Sequence, residues 1–100
     1  MLIVTGTLSV LPSDLADFVA DLQALAVATR QRVGNLSYDA AILDASAGQL
    51  LVAERWQDQT ALTTHLRADD TMAFVSRWQG HIWGNIRKYD VINERALRDE

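Results

Sequence analysis

Residues 36–56 read LSYDAAILDASAGQLLVAERW and are the most informative part of the sequence about the fold. Two runs within it, 36–43 and 49–56, are of strand length, largely apolar and without a helical period, so each predicts a β-strand. The polar segment DASAG at 44–48 is short enough to connect neighbouring strands directly. The stretch therefore predicts an antiparallel β-hairpin.

The sequence before the hairpin predicts a strand followed by a helix. Residues 2–10, LIVTGTLSV, are apolar and β-branched, which favours a strand. Pro12 and Ser13 end it, because proline cannot donate to a sheet and serine is a common helix cap. Over 13–32, apolar side chains recur every three or four positions, which predicts an amphipathic helix.

After the hairpin, the sequence predicts two short helices and a last strand. Asp58 opens the first helix, and Asp69 or Asp70 opens the second. Residues 85–92, NIRKYDVI, predict the strand. The order β-α-β-β-α-β, with the second helix in two pieces, predicts an α+β, ferredoxin-like fold: one antiparallel sheet with helices on one face. We expect one domain over 1–93 and a charged C-terminal tail over 94–100.

The composition excludes several classes of protein. The 100 residues are 49% hydrophobic with a net charge of -4, which is typical of a globular domain and lacks the basic patch of a nucleic-acid binder. No apolar run is long enough for a membrane span. The absence of cysteine excludes a disulfide framework and a thiolate site. We expect a cytoplasmic protein without nucleic-acid or membrane partners.

The predicted strands carry apolar side chains on both faces. Strand 49–56 places Leu50, Val52 and Trp56 on one face and Leu51 and Ala53 on the other. A monomer with helices on one face would have a polar second face. The pattern therefore predicts a homodimer in which two sheets pack face to face.

A family resemblance rests on residues 54–66, where the sequence fits the string E-R-W-x-D-x-x-A-L-x-x-H-L. Together with Gly34-Asn35-Leu36-Ser37-Tyr38-Asp39, this string resembles the antibiotic biosynthesis monooxygenase family over about residues 2–92. Many members have a second histidine shortly after the first, and Asp70 stands there in this chain.

The resemblance implies a dimeric α+β barrel with a small-molecule pocket in each subunit. It also implies an activity: a monooxygenase that oxidises a phenolic, hydroquinone or polyketide-type aromatic. The co-substrate would be O2, and no metal, flavin or other cofactor would be needed. A non-catalytic small-molecule-binding or stress-response module of the same dimeric fold is the alternative.

His65 and Trp56 are the candidate catalytic residues. His65 shares a helix face with Ala61, Leu62 and Leu66, and its ordinary pKa suits removal of a phenolic proton at neutral pH. A histidine held in the core by one hydrogen bond is the alternative. Trp56 is either a wall of the pocket that stacks on a planar substrate or an aromatic anchor of the core.

The candidate substrate-binding residues are aromatic side chains and one arginine. Trp78 and Trp83 lie within six positions of each other and would line a cavity for an aromatic ring or fill the core. Arg77 would stabilise an anion or form a surface ion pair. The predicted set is Tyr38, Phe74, Arg77, Trp78 and Trp83.

Two cofactor classes are disfavoured by residue type and spacing. The two histidines, 65 and 81, have no metal-ligand spacing, so we expect no metal site. The haem-degrading members of the family that the chain resembles have an Asn, a Trp and a His where this chain has Gly6, His65 and Val75. Haem degradation is therefore disfavoured.

Overall fold

The computed structural model describes residues 1–99 and confirms the predicted order of elements. The strands are β1 (Leu2–Ser9), β2 (Asn35–Asp44), β3 (Gln49–Trp56) and β4 (Trp83–Asp90). The helices are α1 (Leu15–Arg30), α2 (Gln59–Leu66) and α3 (Asp69–Trp78), and a 3-10 turn at Pro12–Asp14 precedes α1. Among these helices, none has the length and apolar character needed to cross a bilayer.

The four strands form one antiparallel sheet in the order β2-β3-β1-β4. The central strand β1 pairs with both β3 and β4, so that Thr5 lies between Ala53 and Arg87. The predicted hairpin is present as β2 and β3, in which Tyr38 opposes Glu54. This is the ferredoxin-like topology that the sequence predicts.

The core lies between the sheet and the three helices. Phe18 of α1 and Trp56 of β3 have no exposed surface. The ring of Phe18 contacts Phe74 and Trp78 of α3 with centroid distances of 5.6 and 5.0 Å. These aromatic contacts join α1 to α3 over the sheet and leave α2 beside the end of β3.

The start of α2 follows the predicted capping. Asp58 is the N-cap residue, and its carboxylate accepts a hydrogen bond from the backbone N–H of Ala61 at 2.8 Å. The bond satisfies one of the free N–H groups at the start of a helix. Since Trp56 is two residues earlier, this cap fixes α2 and His65 relative to the end of β3.

Several element boundaries differ from the predicted ones. Helix α1 ends at Arg30 rather than at 32. Helix α3 ends at Trp78, and Gly80 then turns the chain with a φ of +83°, so His81 and Ile82 lie beyond the helix. Strand β4 begins at Trp83 rather than 85, because β1 offers backbone partners as far as Ser9. Residues 91–99 form no helix or strand; residue 100 of the predicted tail lies outside the described residues.

The sheet face away from the helices is partly apolar. The register places Trp83 and Tyr89 on this face, opposite Ser9 and Ile3 of β1. Together with Leu51 of β3, they are 40–56% exposed. Both faces of the folded sheet therefore carry apolar side chains, as the sequence predicts.

Candidate functional site

His65 lies on the inner side of α2 and is 3% exposed. Its imidazole stacks on the indole of Trp56, with ring centroids 4.9 Å apart and planes at 29°. Its second aromatic neighbour is Tyr38 of β2, whose ring centroid is 5.7 Å away. The ring of His65 is therefore held between two aromatic side chains from adjacent strands.

The Nδ1 atom of His65 faces a polar cluster formed by the segment after α1 and the start of α3. Arg32 Nη1 lies 3.0 Å from Nδ1, and Thr71 Oγ1 lies 3.3 Å from it. Arg32 also donates to Thr29 Oγ1 at 2.8 Å and to the carboxylate of Asp70. Burial, and secondly the positive charge of Arg32, lower the pKa of His65 from 6.5 to about 4, against a smaller opposing effect of Asp70. The imidazole is therefore neutral at neutral pH.

Glu54 is a buried carboxylic acid on the inner face of β3, with 8% of its surface exposed. One of its oxygens, Oε1, accepts a hydrogen bond from the indole N–H of Trp56 at 2.9 Å. Burial raises the pKa of Glu54 above its ordinary value, and the bond from Trp56 opposes this only in part. A carboxyl group with a raised pKa is better matched to proton transfer near neutral pH.

Tyr38 faces Glu54 across the β2–β3 pair and is 5% exposed. Burial, and secondly the charge of Glu54, raise the pKa of Tyr38 strongly. The phenol group of Tyr38 therefore stays protonated at neutral pH and is available as a hydrogen-bond donor.

A cavity of about 440 Å³ connects these three side chains. Most of its walls are apolar, and they come from β1, β4 and the three helices: Val4, Leu25, Leu62, Leu66, Phe74, Val75 and Ile86. Lys88 of β4 also lines the cavity, and its ammonium group donates to Gln59 Oε1 at 2.7 Å. The volume and the apolar lining are typical of a site for a small organic molecule.

Three polar atoms of the cavity residues have unused hydrogen-bonding capacity. His65 Nε2, the hydroxyl of Tyr38 and Oε2 of Glu54 make no hydrogen bond with any group of residues 1–99. Over the same residues, every fully buried side-chain nitrogen or oxygen has a partner. These three atoms are therefore accessible, and the cavity is the space that all three side chains line.

The predicted site residues divide between four places. His65, Tyr38 and Phe74 line the cavity together. Trp56 has no exposed surface and lies behind His65, so it supports the site instead of forming its wall. Trp83 lies on the opposite face of the sheet at the start of β4.

Arg77 and Trp78 lie in a different groove, of about 450 Å³, between α1 and α3. Both donate to Asp21 Oδ2, at 2.6 and 2.9 Å. These bonds, with Arg77 first, lower the pKa of the Asp21 carboxyl. Arg77 and Trp78 therefore bind another side chain of the groove, in contrast to the unused atoms of the His65 cavity.

Position 6 has no room for a side chain. A Cβ atom on Gly6 would lie 2.1 Å from the backbone oxygen of Asn85 in the neighbouring strand β4. The asparagine of the haem-degrading branch therefore has no equivalent at this place in the sheet. Within residues 1–99, no three His, Cys, Asp or Glu side chains are grouped so as to hold a metal ion.

The sequence and the fold have relatives among known proteins. The family model described as antibiotic biosynthesis monooxygenase matches residues 1–77. The chain belongs to this family. Among curated proteins, none matches the sequence of the chain.

Solved structures of similar proteins cover almost the whole chain. A candidate antibiotic biosynthesis monooxygenase from Deinococcus radiodurans is 26% identical with a TM-score of 0.86, covering 97% of this chain and 98% of that protein. Another candidate of the same description, from Nitrosomonas europaea, is 10% identical with a TM-score of 0.82, covering 93% and 100%. A protein from Mycobacterium tuberculosis is 19% identical with a TM-score of 0.79, covering 96% and 100%. The two more distant structures show the shared fold alone.

Proposed function

We propose that the chain is a monooxygenase that oxidises a hydroquinone, a phenol or an anthrone-type aromatic with O2 and without a metal or organic cofactor. One observation carries the proposal: an apolar cavity lined by an imidazole, a phenol and a buried carboxyl group, each with a polar atom that makes no hydrogen bond in residues 1–99. Membership of the antibiotic biosynthesis monooxygenase family supports the reaction class.

The reaction needs no reductant besides the substrate. A hydroquinone and O2 give a hydroxyquinone and water, and an anthrone methylene group and O2 give a ketone and water. In both reactions the substrate supplies all four electrons that reduce O2. The protein must therefore bind the ring, remove a proton to make it electron-rich, and keep bulk water away from the intermediate.

The cavity residues suit these tasks. Phe74, Leu62 and Val75 offer apolar contacts to a planar ring. His65 and Tyr38 offer polar atoms to a ring oxygen, so His65 remains a candidate catalytic residue. Trp56 acts by holding His65 and Glu54 in place. The proposal assigns no task to Arg77, Trp78 or Trp83, because they lie outside this cavity.

Oxygen uptake tests the proposal. Metal-free protein is mixed with a panel of hydroquinones and anthrones, and O2 consumption and quinone absorbance are followed together. His65→Ala should lower kcat/KM by roughly 10²-fold or more, because it removes the imidazole that contacts the reacting oxygen. His81→Ala is the matched control, since His81 is exposed and lies outside the cavity; it should leave kcat/KM unchanged.

Two results would contradict the proposal. If aromatic compounds bind without O2 uptake, the chain is a binding module of the same fold. If turnover occurs and is equally fast in His65→Ala, the reaction takes place elsewhere.

A further inference from the structure

Arg32 contacts His65 and is itself held by two further side chains. It lies beyond the end of α1, and its side chain is only 21% exposed. One nitrogen, Nη1, is 3.0 Å from His65 Nδ1 and 2.8 Å from Thr29 Oγ1. The other terminal nitrogen, Nη2, binds the carboxylate of Asp70 at the start of α3. The contacts with Thr29 and Asp70 thus hold the guanidinium against Nδ1 of the imidazole.

The chemistry of the guanidinium decides which nitrogen of His65 carries the proton. Arginine has only N–H donors and stays charged in proteins. Its contact with Nδ1 therefore requires Nδ1 to be the acceptor, and the proton of the neutral ring is then on Nε2. A ring protonated on Nδ1 would place two donors 3.0 Å apart, next to a positive charge.

The nitrogen that carries this proton is the one without a hydrogen-bond partner among the described residues. Nε2 has no partner in residues 1–99, and His65 lines the apolar cavity. We propose that Arg32 is a positioning residue: it holds His65 as a neutral Nε2–H hydrogen-bond donor aimed at the substrate oxygen, so that His65 binds the developing anion and does not take up its proton. This rests on the proposed function, because the donor needs a substrate oxygen.

Removal of the substrate proton then involves a second group of the cavity. When the substrate O–H bond breaks, the electron pair stays on the oxygen, where Nε2–H can donate to it. The proton then needs an acceptor other than His65. Oε2 of Glu54 is such a group, since its partner oxygen is held by Trp56 and its own lone pairs are unused in residues 1–99.

Charged and titratable groups surround His65, either in its polar cluster or in the lining of its cavity. These are Arg32 from the segment after α1, Asp70 from α3, Tyr38 from β2, Glu54 from β3, and Arg87 and Lys88 from β4. Arg32 is the group among them that contacts Nδ1 with an obligatory donor. Thr71 also contacts Nδ1, but its hydroxyl can donate or accept and so leaves the tautomer undecided.

Nitrogen NMR of the histidine rings tests the inference without a substrate. In ¹⁵N-labelled protein, long-range proton–nitrogen correlations separate a protonated ring nitrogen from an unprotonated one, and His81→Gln assigns the two rings. Wild-type His65 should show an unprotonated Nδ1 and a protonated Nε2 throughout the neutral range. Arg32→Met should increase the Nδ1–H population and raise the pKa of His65. Arg67→Met, which removes the same charge from an exposed position two residues after His65, should change neither.

The outcomes separate this inference from the proposed function. A wild-type ring protonated on Nδ1 would overturn the inference, and so would an Arg32→Met variant with an unchanged tautomer and pKa. If the tautomer behaves as expected and no hydroquinone or anthrone is oxidised, the proposed function fails while the role of Arg32 stands. If oxidation occurs, Arg32→Met should lower kcat more than Arg32→Lys, which restores a charged donor.

Discussion

The indole of Trp56 stacks on the imidazole of His65, and the same indole donates its N–H to Glu54. One buried side chain therefore positions two groups of the cavity, through its face and through its edge. Trp56 itself has no exposed surface. Trp56 can therefore affect the chemistry only through His65 and Glu54. Because the two contacts use different parts of the indole, a mutation can remove one and keep the other.

Trp56→Phe should keep the stacking on His65 and remove the hydrogen bond to Glu54. The carboxylate then loses its donor, so we expect the pKa of Glu54 to rise further and the acidic limb of the kcat/KM profile to move to higher pH. The stability cost should be about 1–3 kcal/mol for the lost bond. Trp56→Ala should cost about 3–5 kcal/mol, because it leaves a cavity in the core. Urea unfolding and pH–rate profiles measure both effects, and an unmoved profile in Trp56→Phe would contradict the role of the N–H.

Glu54→Gln should stabilise the fold at neutral pH. The pKa of Glu54 is raised in the folded chain, so the protonated form contributes stability that is present below the unfolded pKa and lost as pH rises through the folded pKa. Glutamine is neutral at all pH values and can still accept from Trp56 Nε1. The gain should therefore appear at neutral pH and vanish below 4.5, the ordinary pKa of the group.

The same variant should lose activity if Glu54 accepts the substrate proton. We expect kcat/KM to fall by roughly 10²-fold or more, with a smaller loss for substrates acidic enough to ionise unaided. A variant that is less stable at both pH values, or that keeps full turnover, would count against this role.

His65 should make the fold sensitive to mild acid. Its pKa is about 4 in the folded chain against 6.5 ordinarily. The neutral ring therefore contributes stability that is present above the unfolded pKa and lost as pH falls through the folded pKa, by up to about 3 kcal/mol. Melting temperatures measured from pH 6.5 to 4 should fall for the wild type and less for His65→Gln. His81→Gln should keep the wild-type slope, and equal slopes in all three proteins would contradict the pKa of His65.

The sequence was sufficient to predict the fold because each element signals itself locally. The short segment between residues 43 and 49 permits only a hairpin, and Asp58 marks the start of α2. The boundaries of β4 were missed because they depend on a partner. Trp83 belongs to the strand since Ser9 of β1 lies opposite it, and no local pattern encodes that pairing.

The site was predictable only in part, for a related reason. His65, Tyr38 and Phe74 are chemically conspicuous, and they line the cavity. Glu54 was missed although a signal exists: it occupies an inward position in the alternation of β3, between Val52 and Trp56. Arg32 gave no comparable signal, because its contacts with His65 and Asp70 span 33 and 38 positions.

The exposed sheet face predicts that the chain forms a homodimer. Leu51, Trp83 and Tyr89 are partly exposed on the face away from the helices, and a second copy would cover them. Light scattering should give twice the 11.1 kDa mass of one chain. Leu51→Asp should dissociate the dimer, since an unpaired carboxylate buried in an interface costs several kcal/mol. Val27→Asp is the control, because Val27 is 63% exposed on α1, on the opposite side of the molecule. A monomeric wild type, or a dimer that survives Leu51→Asp, would show that this face is not the interface.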